Sequence, residues 1–191
     1  MVVMGLLFLI FIGILKTRGE FGRKKSRLCP GETKEFVMKD SHMRGILNEG
    51  EKYKVIFNYY DCNPIRRDDL VLYQFSTQFE PVVKIARGIP GDKFQLKQDQ
   101  KRKAWNLLIN GEMLVSAVDR TVPYFFGAES PPTLSIYFQS RGGELKSGDV
   151  IALSSLPPGD SDSGVFGVAS IRDILGRVEL SSKHTSSMVG W

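Results

Sequence analysis

The chain has 191 residues, 42% of them hydrophobic, which suffices for one packed domain with appendages but not comfortably for two. Its formal charge is +5, yet Lys16, Arg18, Arg23, Lys24, Lys25 and Arg27 stand against Glu20 alone within residues 16–27, so everything else balances to about zero. A groove that neutralises several phosphates needs surplus cations on the folded body, and this argues against a nucleic-acid partner.

Residues 1–15 form an uncharged apolar run, short for a membrane span of about 20 residues. With no small-x-small cleavage site after it, the run reads as an anchor in the membrane lipid rather than a cleaved signal. Residues 16–34 then form a basic juxtamembrane segment, of the kind that meets anionic headgroups. By the positive-inside rule that segment is cytoplasmic. Cys29 and Cys62 lack metal-ligand spacing, which leaves two free thiols or one disulfide.

From residue 35 onward, short β-type runs alternate with turn signals. Strands are predicted over residues 53–57, 70–75, 82–86, 105–109, 134–138 and 150–153. Turns are predicted at Asn110-Gly111, Pro90-Gly91-Asp92, Gly142-Gly143 and Pro157-Pro158-Gly159-Asp160. A short helix is expected only over residues 170–175. The fold class is therefore mainly β, a sandwich or barrel over residues 35–180. The Ser-rich tail over residues 181–191 reads as flexible, so His184 is expected to be solvated.

Four features could carry chemistry. Strand alternation puts Lys84 on one face with Val82 and Ala86. An amine that titrates near 10.4 in water becomes a usable base only where burial disfavours its charged form; without such burial an outward, charged lysine is the ordinary reading. The loop Asp40-Ser41-His42 holds a candidate nucleophile, Ser41, though consecutive side chains diverge and do not assemble a triad by themselves. Gly88-Ile89-Pro90-Gly91-Asp92 is a rigid turn that fixes how the Lys84 strand ends. Asp160-Ser161-Asp162-Ser163 offers short polar side chains able to orient Lys84, and lacks the ligand spacing and closing glutamate of a calcium loop, so no metal site is expected.

Taken in order, these pieces resemble the conserved boxes of type I signal peptidases over roughly residues 36–178. Lys84 stands four residues before Gly88-Ile89-Pro90-Gly91-Asp92, as the family's lysine stands before its Gly-Leu-Pro-Gly-Asp. Leu108-Ile109-Asn110-Gly111-Glu112 is similar to the family's Ile-Asn-Gly hairpin. Asp162-Ser163-Gly164-Val165-Phe166-Gly167, followed by Ile174-Leu175-Gly176-Arg177, resembles the closing box.

The resemblance implies a β-rich catalytic domain behind an N-terminal membrane-anchoring helix, single-pass in the cell's inner membrane with the domain extracytoplasmic. That placement conflicts with the basic segment. It also implies a serine endopeptidase with Lys84 as general base and Ser41 as nucleophile, supported by Asp160, Ser161, Asp162 and Ser163, with no cofactor. The implied partners are precursor proteins bearing signal or leader peptides.

Three departures stand out. In the ungapped frame His42 occupies the nucleophile's place, Asp40 that of the oxyanion-hole serine, and Ser41 lies one residue early. Gly164 replaces the arginine that pairs with the preceding aspartate, and the closing box is short, as in the conjugative-transfer pilin-maturing branch. A catalytically inactive relative that binds an exported or membrane partner is the alternative. A self-cleaving Ser/Lys repressor is disfavoured because residues 1–35 are too short and apolar for a DNA-binding domain.

Overall fold

The computed structural model describes residues 31–127, 131–158 and 162–181. The anchor over residues 1–15, most of the basic segment, Cys29, Gly159, Asp160, Ser161 and nearly all of the tail, with His184, lie outside them. No helix among the described residues is long and apolar enough to cross a membrane.

Eleven strands are described: β1 (Thr33–Val37), β2 (Lys52–Phe57), β3 (Leu70–Tyr73), β4 (Val82–Gly88), β5 (Phe94–Asp99), β6 (Ala104–Ile109), β7 (Glu112–Met113), β8 (Phe125–Gly127), β9 (Asp149–Leu153), β10 (Ala169–Ser170) and β11 (Ile174–Leu180). Two helices, α1 (Leu134–Arg141) and α2 (Ser163–Phe166), accompany them. A seven-stranded antiparallel sheet runs β1-β2-β11-β3-β4-β9-β10, and a smaller one runs β5-β6-β7 with β8 also on β6. The mainly β expectation holds.

β4 is central because both its faces are apolar and both are covered. Val83 and Ile85 pack with Met43, Leu47, Val55, Leu72 and Val178. Ala86 packs on the other side with Val71, Tyr73, Val150 and Ala152. A third cluster fastens the small sheet and α1 to β9, through Phe94, Leu107, Tyr124, Leu134, Ile151 and Leu153.

Residues 134–138 are helical, not the expected strand. Leu134, Ile136 and Phe138 mimic a period of two, but Leu134, Tyr137 and Phe138 equally fit a period of 3.6. Only the helical set packs: Leu134 is buried, Tyr137 joins the third cluster and Phe138 meets Phe94 edge-on, while Ile136 stays 64% exposed. Gly142 and Gly143, both with positive φ, stop the helix. The expected helix over residues 170–175 shrinks to one 3-10 turn over Ile171–Asp173, since Ile174 onward is recruited into the large sheet as β11.

The turn after β4 is as rigid as its sequence suggests. Gly91 takes φ +94°, and Asp92 accepts from Ile89 N–H at 2.8 Å, from Arg67 at 2.7 Å and from the Asn110 side chain at 2.8 Å. Asp92 thus ties the turn to the Asn110-Gly111 hairpin joining β6 and β7. Burial alone would raise its carboxyl, but the Ile89, Arg67 and Asn110 donors outweigh it and hold the carboxyl below its ordinary 3.8. Such a depressed group contributes stability that is complete above the unfolded value and is lost as pH falls through the folded one. Asp92→Asn is expected to cost about 2 kcal/mol at neutral pH. Urea unfolding of the two proteins should converge in strong acid; an unchanged gap there would show that the carboxylate's charge is not what stabilises the turn.

Candidate active site

Lys84 lies in the middle of β4, opposite Val71 of β3, and its residue is 0% exposed. The outward, solvated lysine that alternation alone would allow is therefore not what forms. β9 pairs Leu153 with Ile85, so Ser154, the next residue, falls beside Lys84. The Lys84 Nζ donates to Ser154 Oγ at 2.9 Å.

Asp162 completes the buried polar group and is 1% exposed. Its Oδ2 accepts from Tyr124 OH at 2.6 Å and lies 3.4 Å from the Ser154 amide, while its Oδ1 caps the start of α2 through Gly164 N–H at 2.8 Å. Burial pushes the Asp162 carboxyl up, and the Tyr124 hydroxyl, the Gly164 amide and the charge of Lys84 pull it partly back. Tyr124, pushed well up by burial and then by Asp162, is the donor of that pair. Ser163 accepts from Ala152 N–H at 2.9 Å and so locks α2 onto β9. Gly164 is accounted for sterically: a Cβ there would collide with the Phe126 ring. The tyrosine, not an arginine, is the neighbour that satisfies Asp162.

The loop over residues 40–47 reaches this group through its backbone. Met43 and Leu47 are buried and set the loop's register. Ser155 N–H donates to the His42 carbonyl at 3.1 Å, and Ser155 Oγ donates to the Arg44 carbonyl at 2.8 Å. The Ser155 carbonyl in turn accepts from Ser116 Oγ at 3.1 Å and Ala117 N–H at 3.2 Å. Asp40 Oδ1 accepts from the His42 amide at 2.9 Å and lies 3.0 Å from His42 Nδ1, near enough for attraction though not aligned as a hydrogen bond. Neighbours two apart thus do meet across a tight turn.

Ser41 is exposed, and its hydroxyl makes no hydrogen bond to a described residue. His42 is the residue docked against Ser155. The structure brings together Lys84, Ser154 and Asp162, with Ser163 on the neighbouring Ala152 amide, and links His42 to them through its carbonyl on Ser155. Asp160 and Ser161 fall outside the described residues. Tyr124, Ser154 and Ser155 were missed by sequence reasoning; the hydroxyl pair ending the β9 run just before Pro157-Pro158 was a visible signal, whereas nothing marked Tyr124.

A cavity of about 310 Å³ opens between residues 36–40 and 80–83, walled by Phe36, Met38, Tyr53, Leu72, Pro81 and Val83. Lys39 and Glu80 pair across it at 2.9 Å. Its two walls continue directly into Ser41-His42 and Lys84. Among the described residues, no group of three His, Cys, Asp or Glu is placed to hold a metal. Cys62 is disulfide-bonded, and the chain's one other cysteine, Cys29, lies outside the described residues.

No protein-family model matches the chain, and no curated protein does. Among solved structures, it is similar to the crystal structure of a signal peptidase I from Enterococcus faecalis V583, with a TM-score of 0.38 and 18% identity over 60% of this chain and 97% of that one. A likeness of that degree establishes neither activity nor site.

Removing the Tyr124 hydroxyl leaves Asp162 short of a donor in a dry place. Tyr124→Phe is expected to lower stability by about 2 kcal/mol. Chemical denaturation of the variant checks this, and a change below a few tenths would mean that the carboxylate finds a substitute donor.

Proposed function

We propose that this chain is a membrane-tethered serine endopeptidase of signal peptidase type, cutting exported precursors after small residues. The observation that carries this reading is the buried Lys84 amine, held 2.9 Å from the Ser154 hydroxyl on a strand whose preceding residues, Pro81, Val82 and Val83, line a cavity with a largely apolar wall. Burying a lysine is expensive, and an apolar residue there would serve stability at least as well. A retained buried amine is therefore best explained by chemistry that needs one.

In this reading an extended substrate segment lies along the cavity between residues 36–40 and 80–83, its small side chains over the apolar wall. Ser41 Oγ attacks the scissile carbonyl while its proton passes to Lys84 Nζ, forming the Oγ–C bond. The Lys84 proton then goes to the departing amine as the C–N bond breaks. Water hydrolyses the resulting ester and restores the serine. Ser154 and Asp162 hold the Lys84 amine in place throughout. Ser41 has to swing inward from its exposed position, a movement that substrate contact with the loop over residues 40–44 would supply.

The disulfide at Cys62 supports an extracytoplasmic domain, since such bonds persist in oxidising compartments. This weighs against the basic segment and for the membrane placement that the resemblance implies. A second reading is favoured by one observation, the docking of His42 where the frame puts a nucleophile: the chain holds an exported segment and does not cut it.

The test is cleavage of a precursor carrying an Ala-x-Ala site by the full chain in detergent. Lys84→Ala and Ser41→Ala are each expected to reduce kcat/KM by about a thousandfold or more. Retained activity in Ser41→Ala with loss in Ser154→Ala would move the nucleophile to Ser154. A folded wild type that retains precursors in a pull-down and cleaves none would establish the binding relative.

A further inference from the structure

A second cavity, of about 470 Å³, is lined by Ile46, Leu70, Ile85, Arg87, Ala117 and Arg120, together with Asp68 and Ser116. Its walls are later stretches of the segments that line the first cavity. Ile46 follows His42 as Asp40 precedes it, and Ile85 and Arg87 follow Lys84 as Val82 and Val83 precede it. Ser116 and Ala117 are bonded directly to Ser155, which holds His42. The two cavities are thus lined by the same two segments, one by residues before His42 and Lys84 and the other by residues after them.

The two differ in chemistry. The Arg87 side chain is only 11% exposed. Its Nη2 donates to the Val115 carbonyl at 3.2 Å, and its Nε lies 3.1 Å from Asp68 Oδ1 without the alignment of a hydrogen bond. Burial presses this guanidinium towards its neutral form; Asp68 and Tyr124 oppose that, while Arg67 and Arg120 add repulsion. Asp68 is largely solvated and bonded loosely, so it compensates little. Arg67 is committed to Asp92. The cavity therefore presents a crowded, incompletely compensated positive wall. A carboxylate fits that wall, because guanidinium and carboxylate match in geometry and charge.

We propose that this cavity receives the residues that follow the cut and selects an acidic side chain there, with Arg87 and Arg120 as its specificity determinants. The inference rests on the reading of the site as one that holds an exported segment. It names the substrate class more narrowly: small residues before the scissile bond, an aspartate or glutamate within the first few residues after it. Asp68 is the internal anion that such a side chain would compete with or displace.

The experiment uses the full chain in detergent and three labelled peptides that share an Ala-x-Ala segment, followed by Asp-Asp, Gln-Gln or Lys-Lys. Binding is read by fluorescence anisotropy and cleavage by mass spectrometry. Wild type is expected to bind the acidic peptide about tenfold more tightly than the basic one, with the neutral peptide between them. Arg120→Glu, an exposed change that the fold should tolerate, is expected to abolish or invert the order. Arg87→Gln should flatten it.

Equal affinities in wild type, or an acidic preference that survives both substitutions, overturns the proposal. Cleavage without charge preference overturns it while leaving the peptidase reading intact. Acidic preference without cleavage supports it and overturns the peptidase reading instead. Failure to bind any of the three peptides overturns both.

Discussion

The structure depends on keeping one lysine amine out of water. Lys84 sits on a strand whose two faces are both covered, so its amine reaches no solvent. Protein atoms must replace the lost hydration, or the site would be too costly to fold. Ser154 supplies a hydroxyl and Asp162 a nearby negative charge. Asp162 has needs of its own, which the α2 amide and Tyr124 satisfy. Tyr124 belongs to the core cluster of the small sheet, and Ser154 follows β9 of the large one. The polar group that holds a single amine is therefore also a joint between the two sheets, alongside the apolar cluster that links them.

The Ser154-Ser155 pair divides the work. Ser154 faces Lys84, and Ser155 grips the loop carrying Ser41 and His42. That grip acts on the carbonyls of His42 and Arg44, not on side chains. The seat of the loop is thus indifferent to what residue 42 carries, and Met43 with Leu47 sets the register beneath it. A chain built this way tolerates replacement of the side chain at residue 42 without losing the loop. It follows that an intact scaffold around Lys84 is not by itself evidence for an intact nucleophile, which is why cleavage and binding have to be measured separately.

Much of the large sheet was legible because its strands are apolar enough to force a choice: residues 53–57, 82–86 and 150–153 can hardly be anything but buried β. The rigid turn ending at Asp92 and the Asn110-Gly111 hairpin were legible because glycine and asparagine at those places answer a backbone requirement. What failed is equally specific. In residues 134–138 two periods coincide, and only the packing of Tyr137 and Phe138 against the small sheet decides between them. β11 escaped notice because Gly176, where a Cβ would strike the Ile56 carbonyl, breaks the apolar pattern at the point of closest strand approach. Tyr124 was invisible, since its partner lies 38 residues away and no local pattern couples them.

The same limit applies to charge. A body whose ionisable residues sum to about zero was reason to set aside a phosphate-tracking groove, and the sum remains a sound argument about long-range fields. It does not describe a cavity. Arg87 and Arg120 share one wall with only a solvated aspartate opposite, while Lys39 and Glu80 neutralise each other over the other cavity. The balance of charge thus differs between the two: Lys39, Asp40 and Glu80 stand at the first cavity, Asp68, Arg87 and Arg120 at the second. In the proposed reading, a segment running from one cavity to the other places its small, apolar residues in the first and its anionic residues in the second.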